Sequence, residues 1–571
     1  QYFRSLYNVE RVEVLKGPGA LIFGRGGSGG VINRVQKAPI AGEFTGSVSA
    51  GAGTFGAWDV TADVNAPVGP AAALRLNAYA EGLDNNRDFF GGRRYAINPY
   101  LAVDLGRWKL GLSYEHVSDD RAADRGLPSV ATAPGLPNRP LAGHRDTFIG
   151  VPGVNRTELG AHIARAHLGG QLADNLRWST TVLYGNYDKS YTNVFANGAA
   201  TADNGTVALS SYSDATRREN LIAQTSLVWD FTLGTMAHKL LGGLEYADQH
   251  SANQRRNGTL SNGIFALASP AYPSVVFGPM VRNTVSNARV FSAYAQDQIA
   301  FGSHLDLVIG LRFDRFRIAG TDLSGTPRPF ARTDGKVSPR VGVIVKPREN
   351  ASLYASYSQS FLPRSGDQFL SLTATQANLT PERYANYEVG GKWDIDPRLN
   401  ATLALFQLDR TNATTPDPMN VGTTINIGAT RTRGLELALT GRLLPGLQTS
   451  AAYTWQHARL KGNDAVRLAQ VPAHQLALWN RYDFGPAFGL GLGMVHQSSQ
   501  YAAIRTAPET TRLPGFTRVD AAIYFRPVDR MGVQINIENL LDATYFSDAH
   551  NNNNISPGAP INARLTARVK F

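Results

Sequence analysis

The glycine-rich stretch near the start of the chain is the first feature that could do chemistry. Residues 24–30 read GRGGSGG, which formally matches the G-x-G-x-x-G spacing of a dinucleotide-binding loop. Such a loop needs a helix directly after it, whose N-terminus meets the pyrophosphate, and an acidic residue about twenty positions further on. The chain continues instead with the β-branched residues Val31, Ile32 and Val35 and then Pro39. The glycines therefore favour tight turns in a compact β unit.

Other catalytic or metal-binding spacings are scarce. The 11 His residues form no His-x-x-x-His pair, and the chain has no Cys. Cysteine-ligated zinc, iron–sulfur clusters and a disulfide framework are therefore excluded. The net charge of +11 arises without a run of about five or six basic residues, which favours a solvated surface over a nucleic-acid partner. We predict that the protein is not an enzyme and binds no nucleic acid.

The elements that carry the polar residues have a period of two. Leu74, Leu76 and Ala78 alternate with Arg75 and Asn77, and similar segments recur from about residue 43 onward. Successive side chains of a strand point to opposite faces, so each segment has one apolar and one polar face. These segments are about twice as long as ordinary strands, and no apolar run reaches the ~18 residues of a membrane helix. We predict an all-β chain that closes into a transmembrane antiparallel barrel, in which every backbone group is paired.

The connections between these segments alternate between short and long. The short ones lie at 67–70, 105–107, 173–175, 301–304, 346–350, 395–398, 444–446 and 526–530. The long polar ones lie at 119–155, 191–214, 251–283, 321–334, 361–380, 500–511 and 542–560. Outer-membrane barrels have short periplasmic turns and long extracellular loops. The segmentation predicts about 22 strands, the size of the plugged outer-membrane transporters.

Several motifs resemble one known family. The end of the plug domain of TonB-dependent outer-membrane receptors is similar to residues 10–39, ERVEVLKGPGALIFGRGGSGGVINRVQKAP. The barrel pattern of that family resembles SPRVGVIVKP (338–347), SLYASYSQSFLP (352–363), LTPERYANYEVGGKW (379–393), TRGLELALTGRL (432–443), VPAHQLALW (471–479) and NLLDATYF (539–546). The ending of siderophore receptors is similar to SPGAPINARLTARVKF, with its terminal Phe571. The motifs occur in the family's order along nearly the whole chain.

The resemblance implies a fold and a task. Residues 1–43 would be the C-terminal part of a plug domain in the lumen, and residues 44–571 would be the transmembrane barrel. A monomer in the outer membrane of a Gram-negative bacterium, surrounded by lipid and lipopolysaccharide, would import a ferric siderophore with energy from the TonB–ExbB–ExbD complex. Iron would arrive as the Fe(III)-siderophore, without a cofactor or a metal site of the protein itself. Family plugs are longer than this segment, so we expect the TonB box to lie outside this chain.

Three charged residues match family positions that resemble a contact between plug and barrel. Arg11 lies in the plug segment, while Glu388 and Glu436 lie on the polar faces of barrel strands. A carboxylate in a partly dry interior needs a partner, and Arg offers a planar fork for it. The resemblance thus implies a latch between plug and barrel that loosens during transport. The alternative is that both carboxylates are solvated in the lumen.

The implied ligand suggests further candidates. Ferric siderophores are bulky, polar and usually anionic, so aromatic and cationic side chains at the outer mouth suit them. The candidates are Arg87, Arg93, Arg94, Tyr95, Tyr187, Tyr191, Arg255, Arg256 and His550. Each of them could instead be a solvated loop residue or contact lipopolysaccharide. Many Tyr and Trp residues must belong to the aromatic girdles at the membrane interfaces.

Other substrates stay open as alternatives. Similar haem receptors place a His in the loop between the two mid-barrel motifs, and residues 364–378 contain none, which disfavours haem. Cobalamin, copper complexes and oligosaccharides are further alternatives. A passive porin is less favoured, because porins lack a plug segment and need only about 16 to 18 strands.

Overall fold

The structure of the chain, a computed structural model, describes residues 5–16, 29–364, 379–416 and 424–571. These residues lie mostly in β-strands, with a single 3-10 turn at Thr54–Gly56. No helix in the described part of the chain is long and apolar enough to cross a membrane. Most of the glycine-rich stretch, through Ser28, and the loop at 365–378 lie outside the described residues.

The strands are introduced here in chain order. The first sixteen are β1 (Val9–Lys16), β2 (Gly30–Gln36), β3 (Thr45–Gly53), β4 (Trp58–Gly69), β5 (Ala72–Leu83), β6 (Gly92–Asp104), β7 (Trp108–Ala122), β8 (Ser129–Val130), β9 (Arg139–Pro140), β10 (Arg156–Ala173), β11 (Leu176–Ala196), β12 (Thr206–Leu233), β13 (Met236–Leu260), β14 (Ile264–Ala266), β15 (Val275–Phe301) and β16 (Leu305–Asp322). The others are β17 (Arg328–Arg348), β18 (Ala351–Leu362), β19 (Glu382–Asp396), β20 (Leu399–Pro416), β21 (Thr424–Leu444), β22 (Leu447–Leu460), β23 (Asn463–Arg467), β24 (His474–Phe484), β25 (Phe488–Gln497), β26 (Gln500–Tyr501), β27 (Arg512–Leu513), β28 (Phe516–Val528), β29 (Met531–Glu538), β30 (Phe546–Asn551), β31 (Asn554–Pro557) and β32 (Asn562–Lys570).

The long strands close into an antiparallel barrel. Its 22 wall strands are β3–β7, β10–β13, β15–β22, β24, β25, β28, β29 and β32, and the remaining strands of the closed sheet, β14 and β23, are short additions at the rim. The first and last wall strands pair directly, with Ser47 opposite Lys570 and Gly53 opposite Arg564. Closure leaves no sheet edge, which is the condition for backbone in a membrane. The predicted all-β barrel of about 22 strands is confirmed.

The alternating pattern turns one face of each strand outward. On β16, Leu311 and Phe313 are exposed, whereas the intervening Arg312 and the following Asp314 are fully buried on the inner face. An apolar outer face and a polar bore are the arrangement that lipid around a wet lumen requires. The outward apolar residues of β16 end at Phe313, and Arg315 is the next outward residue.

The two ends of the barrel differ as the sequence predicts. All turns between wall strands at one end, such as those after Leu233 and Phe301, are two or three residues long. At the other end, β11 to β13 continue as paired strands well above the apolar band, through much of the predicted loops at 191–214 and 251–283. The loop boundaries predicted there are therefore wrong, because a polar hairpin stays hydrogen-bonded after it leaves the membrane.

The outer loops pack against one another in an apolar cap. Leu127, Phe265, Leu513 and Ile555, from four different loops, are almost completely buried in one cluster. The backbone of Leu127 exchanges two hydrogen bonds of 2.8 Å with that of Ile555. The cap therefore ties the loop after β7 to the last loop of the chain.

The first two strands form a hairpin inside the barrel. β1 and β2 pair with each other and with no wall strand. Side chains at one end of this hairpin contact the inner faces of β4–β7, and Lys16 contacts Glu436 on β21. The hairpin thus reaches across the lumen, while the predicted domain boundary at residue 43 stays a prediction.

Candidate functional site

The inner wall carries a group of cationic and aromatic side chains near its outer end. We define the outer arginine–tyrosine cluster as Arg125, Tyr191, Tyr212, Asp214, Arg255 and Arg282. Val182 and Tyr184 of β11 are exposed on the outer face of the barrel. Tyr191 is an odd number of residues further along the same strand, and successive side chains alternate between the two faces, so Tyr191 faces the bore. Tyr191 is opposite Asp214 in the register, and Asp214 is opposite Arg255. The pairing of long strands above the membrane therefore assembles the cluster.

Arg125 is the centre of the cluster. Its Nε donates hydrogen bonds to Tyr191 Oη at 2.7 Å and to Asn193 Oδ1 at 3.1 Å, and its Nη2 donates to Tyr212 Oη. Its Cζ lies 5.5 Å from the ring centroid of Tyr191 and 5.1 Å from that of Phe195. A guanidinium among aromatic rings is held by both hydrogen bonds and cation–π attraction.

A tight loop turn positions Arg125. Gly126 has φ of +75°, and a Cβ there would lie 2.0 Å from the carbonyl oxygen of Ile555. Asp124, the residue before Arg125, accepts two hydrogen bonds from the Arg87 guanidinium: Oδ2 from Nε at 2.6 Å and Oδ1 from Nη2 at 3.0 Å. Arg125 therefore owes its place to the close approach of two loops and to a buried ion pair beside it.

A single carboxylate lies between the two other arginines of the cluster. Arg255 Nε is 2.8 Å from Asp214 Oδ2, and Arg282 Nη1 is 3.9 Å from the same oxygen. Arg255 and Arg282 are directly opposite in the register, and the Arg255 guanidinium lies 4.2 Å above the Tyr212 ring. Like charges at opposed positions repel, and one carboxylate balances only one of them. The cluster is therefore net positive.

Further cations continue this charge along the same wall. Lys189 and Arg218 face the bore from β11 and β12, next to Tyr187 and below the cluster in the register. The surrounding loops, together with the charge of Arg125, lower the pKa of His550 in the last loop. Cationic side chains thus continue from the outer arginine–tyrosine cluster along this part of the outer bore, as an anion-binding wall requires.

Four of the predicted ligand residues belong to this region. Tyr191 and Arg255 are part of the cluster, and Tyr187 faces the bore beside it, with its ring over Gly185. His550 lies in the last loop, whose Ile555 backbone bonds to that of Leu127, two residues after Arg125. The structure therefore brings together residues that the sequence separates by more than 350 positions.

The other five predicted residues are placed differently. Arg87 is buried in its pair with Asp124, and Arg94 faces the bore in an ion pair with Glu81. Arg93 and Tyr95 are exposed on the outer face of β6, and Arg256 is exposed next to a bulge, 3.5 Å from the carbonyl oxygen of Gly278. An outward orientation argues against contact with a ligand in the bore, and it fits the interfacial girdle for Tyr95, whose ring lies 5.7 Å from that of His116.

The plug hairpin is bound to another part of the wall, on strands β4–β7. We define the plug dock as Tyr7, Asn8, Gln36 and Lys37 of the hairpin region together with Asp63, Arg75, Asn98 and Glu115 of β4–β7. Asn8 Nδ2 donates to Asn98 Oδ1 at 3.1 Å and to Glu115 Oε1 at 3.2 Å, and Tyr7 Oη donates to the same carboxylate at 3.1 Å. Asp63 accepts from Lys37 at 3.0 Å and from both arms of Arg75 at 2.8 Å. The polar groups of the plug dock are thus paired and mostly buried.

The comparisons with known proteins identify the family. The family described as "TonB dependent receptor-like, beta-barrel" matches residues 44–540, which is most of the chain. The chain belongs to this TonB-dependent receptor family. The receptor is therefore an outer-membrane protein of a Gram-negative bacterium, as the sequence predicts, and its family consists of receptors and transporters rather than enzymes.

Curated relatives and solved structures cover almost the whole receptor. The metal-pseudopaline receptor CntO of Pseudomonas aeruginosa is 29% identical over 600 residues, covering 99% of this chain and 80% of the relative. The probable siderophore receptor PiuA of Acinetobacter baumannii is 26% identical, covering 100% of this chain and 82% of the relative. The crystal structure of PiuA superimposes with a TM-score of 0.91 at 24% identity, covering 100% of this chain and 87% of that chain. The closed form of the ferric-catecholate receptor Fiu from Escherichia coli gives 0.86 at 24% identity, with the same coverage.

In the receptor, the predicted latch residues are not all in contact with one another. Glu436 Oε2 is 2.7 Å from Lys16 Nζ of the plug hairpin, and Arg11 contacts Glu13 on its own strand at 2.7 Å. Glu388 accepts a hydrogen bond of 2.7 Å from Tyr354, which belongs to the barrel. The described plug–barrel ion pair on this side is therefore Lys16–Glu436, and the transport role of the latch stays a prediction.

Sequence reasoning missed four members of the outer arginine–tyrosine cluster: Arg125, Tyr212, Asp214 and Arg282. Arg125 and Arg282 lie within ranges treated as long loops, and Tyr212 is a single aromatic residue in a polar stretch. The signal that could have found Tyr212 is the alternation of 212 and 214 with the strand that follows. Arg125 has no periodic signal, because its place depends on contact between loops that are distant in sequence.

Proposed function

We propose that this receptor imports an anionic iron(III) chelate, a ferric siderophore, through the outer membrane. The observation that carries the proposal is the net positive outer arginine–tyrosine cluster at the mouth of a plugged bore. Anionic oxygens of a chelate suit the guanidinium donors, and planar ligand groups suit the faces of Tyr191 and Tyr212. The names of the relatives PiuA and Fiu, a siderophore receptor and a catecholate siderophore receptor, support the same class of ligand.

Energy for this import would come from the inner membrane. Because the plug hairpin crosses the lumen, release of a chelate into the periplasm requires the plug to move or rearrange. We propose that the TonB–ExbB–ExbD complex drives this movement, as membership of the family implies. Iron would travel inside the chelate, so the proposal needs no resident cofactor and no metal ligand from the protein.

Binding of two iron(III) chelates that differ in net charge tests the proposal. The purified receptor is titrated with a triply anionic iron(III) tris-catecholate and with an iron(III) trihydroxamate that carries no net negative charge, by quenching of intrinsic fluorescence. We expect tight binding of the anionic chelate alone. Arg255→Gln should weaken it by about tenfold to a hundredfold, since a charge-assisted hydrogen bond contributes ~1.5–3 kcal/mol. Arg217→Gln is the matched control, because Arg217 is 71% exposed and pairs with Asp188 on the outer face.

Growth of a deletion strain gives the complementary test in the cell. Strains with and without the gene are grown under iron limitation on a panel of ferric siderophores, and the intact gene is restored as the control. Loss of growth on one anionic chelate would identify the substrate. Equal affinity for both chelates, or growth on every chelate without the gene, would contradict the proposal.

A chelate of another transition metal is the second candidate. The observation that favours it is the 29% identity to the metal-pseudopaline receptor CntO. The outer arginine–tyrosine cluster recognises the anionic ligand shell rather than the metal, so it is compatible with both candidates. Titration with iron(III), zinc and nickel chelates of one ligand, and the ligand alone, separates them.

A further inference from the structure

Two histidines lie side by side on the outer face of the barrel wall. His116 of β7 and His162 of β10 are directly opposite in the register, and their ring centroids lie 4.6 Å apart with the ring planes tilted by 34°. Both alternate with inward residues, since Glu115 and Ile163 are buried. His162 is exposed and His116 is half-buried. We call these two residues the outer histidine pair, which no spacing within the sequence reveals because its members come from two strands.

The ring nitrogens of the outer histidine pair are only partly used. His162 Nδ1 lies 2.7 Å from Tyr114 Oη, in a hydrogen bond that leaves Nε2 for another partner. Histidines that bind metals commonly donate their second N–H to a fixed oxygen, which sets the tautomer and the orientation of the ring. His116 Nδ1 is shielded from solvent, and no group of the described residues forms a hydrogen bond with it. Each ring therefore has a nitrogen to which an ion can bind.

The surroundings of the outer histidine pair leave room for an ion and do not repel it. A Cβ at Gly160, which is on the same face of β10 as His162, would have no atom within 4 Å. Ala164, on the other side of His162, is another small residue of this face. On the described strands β6, β7, β10 and β11, no lysine or arginine is opposite or diagonal to either histidine. A cation can therefore approach both rings without a positive neighbour.

The row of residues that contains the outer histidine pair also offers an oxygen ligand. Asn186 of β11 is directly opposite His162. Opposed side chains of neighbouring strands lie about 5 Å apart, so the Asn186 amide oxygen is within reach of an ion held by His162. Tyr114 and Tyr184, both exposed, are the girdle residues directly below this row, so the row lies at the level of the headgroups, where water reaches it. The described residues contain no group of three or more His, Cys, Asp or Glu side chains that can hold a metal ion, so water must supply the remaining ligands.

The spacing of the two rings selects among metal ions. Imidazole suits nickel, copper and zinc, whereas magnesium and calcium prefer oxygen ligands. An ion about 2 Å from an imidazole nitrogen lies about 3.2 Å from the ring centroid. Two centroids 4.6 Å apart then subtend an angle of about 90° at the ion. A right angle belongs to the square-planar and tetragonal geometries of Cu²⁺ and Ni²⁺, whereas tetrahedral Zn²⁺ needs a wider angle.

We propose that the outer histidine pair binds one Ni²⁺ or Cu²⁺ ion at the outer surface of the receptor. His116 and His162 each give one imidazole nitrogen, and Asn186 Oδ1 and water complete the coordination. Tyr114 is a positioning residue, because its hydroxyl orients the His162 ring without touching the ion. The site is independent of the proposed import, since it lies on the outer face of the wall, whereas the outer arginine–tyrosine cluster faces the bore.

Metal titration of the full receptor, purified in detergent without an affinity tag, tests the proposal. After bound metal has been removed with a chelator, Ni²⁺, Cu²⁺ and Zn²⁺ are titrated by isothermal calorimetry in a buffer with excess Mg²⁺, which occupies carboxylates. We expect one site that binds Ni²⁺ more tightly than Zn²⁺. His116→Gln and His162→Gln should each weaken Ni²⁺ binding by about a hundredfold, because each removes a ligand. Tyr114→Phe should weaken it by about tenfold, because the His162 ring is no longer oriented.

His474→Gln is the matched control for the histidine variants. His474 Nδ1 makes the same kind of hydrogen bond, 2.9 Å to Tyr453 Oη, but the residue opposite His474 is Trp455 rather than a second histidine. This substitution should leave Ni²⁺ binding unchanged. The electron paramagnetic resonance spectrum of bound Cu²⁺ should show two nitrogen ligands in the unchanged receptor and fewer in His162→Gln.

The folding of each variant is checked by the heat-dependent migration of the barrel in gels, which does not depend on the identity of the imported chelate. Unchanged Ni²⁺ affinity in His162→Gln, an equal loss in His474→Gln, or tighter binding of Zn²⁺ than of Ni²⁺ would overturn the proposal. Loss of binding in His250→Gln alone would place the ion at the opposed residues Glu219 and His250, further along the same row, and would also overturn it.

Discussion

The plug dock and the outer arginine–tyrosine cluster are both polar regions of the same bore, and they are balanced differently. In the plug dock, Asp63 has two cationic partners and the fully buried Asn98 both donates and accepts hydrogen bonds. In the cluster, Asp214 is the one carboxylate between Arg255 and Arg282. The first region is internally satisfied, whereas in the second the described residues place two arginines around one carboxylate.

This difference separates polar groups that stabilise the fold from those that await a ligand. Buried hydrogen-bonded networks are costly to break, because each group left without its partner keeps its desolvation penalty. Surplus charge has the opposite property, since removing one of several mutually repelling cations relieves repulsion. Substitutions in the two regions should therefore change stability in different directions.

The largest effect is expected for Asn8→Ala in the plug dock. The substitution removes two buried hydrogen bonds, to Asn98 and Glu115, and leaves these groups without the amide donor. We expect the hairpin to open more easily by about 2–3 kcal/mol. Hydrogen exchange of the β1 and β2 amides measures this opening. Asn33→Ala is the matched control, because Asn33 bonds to Glu13 within the hairpin, and equal loss of protection in both variants would contradict the role of the dock.

The next largest effect is expected for Arg282→Gln in the outer arginine–tyrosine cluster, which should weaken ligand binding without lowering the stability of the barrel. Arg282→Gln removes a guanidinium opposed to Arg255 and 3.9 Å from Asp214. We expect the affinity for an anionic iron(III) chelate to fall by about tenfold, while the barrel unfolds at an unchanged or higher temperature. Chelate titration and thermal unfolding in the same detergent measure both quantities. A parallel loss of affinity and stability would show that Arg282 is structural, like the residues of the plug dock.

The sequence alone was sufficient to predict the strands of the barrel wall, but it was insufficient to predict the outer arginine–tyrosine cluster. The alternation of Leu74, Leu76 and Ala78 with polar residues decides the face of each side chain, because lipid and water lie on opposite sides of a single sheet layer. The same rule, extended above the membrane, places Tyr191 and Arg255 on one face. To bring these two residues together in space, the strand register must also be known, and the register depends on turns and pairing rather than on composition.

Contacts between loops were beyond such reasoning. Arg125 enters the bore because Gly126 packs against Ile555, more than 400 positions later in the chain. Arg87 is of the residue type expected for binding an anionic ligand, but its guanidinium forms an ion pair with Asp124 beside this turn instead. Neither role leaves a periodic or local signal, since both are decided by tertiary packing of the cap.

A smaller effect is expected where the plug meets β21. The Lys16–Glu436 pair is only one contact, and the Lys16 side chain is 54% exposed, so it should contribute at most about 1 kcal/mol. Glu436→Gln should increase hydrogen exchange near Lys16 slightly and leave the amides near the plug dock unchanged. Glu388→Gln is the matched control, since Glu388 accepts from Tyr354 of the barrel. Equal exchange in both variants and the unchanged receptor would argue against any latch at this wall.

The smallest effect concerns the pH response of the last loop, where the surplus charge reaches His550. Partial desolvation by the neighbouring loops and the charge of Arg125 lower the pKa of His550 from its ordinary value of 6.5, although the residue is exposed on its solvent side. Below about pH 6.5 the opened loop therefore binds a proton that the closed loop does not yet bind, so the free energy of opening falls as the pH falls. Hydrogen exchange at Leu127 and Ile555, corrected for intrinsic rates, should show this slope, and His550→Gln should remove it. An unchanged slope in His550→Gln would mean that a different group senses the pH, and that the positive field of Arg125 does not extend to this loop.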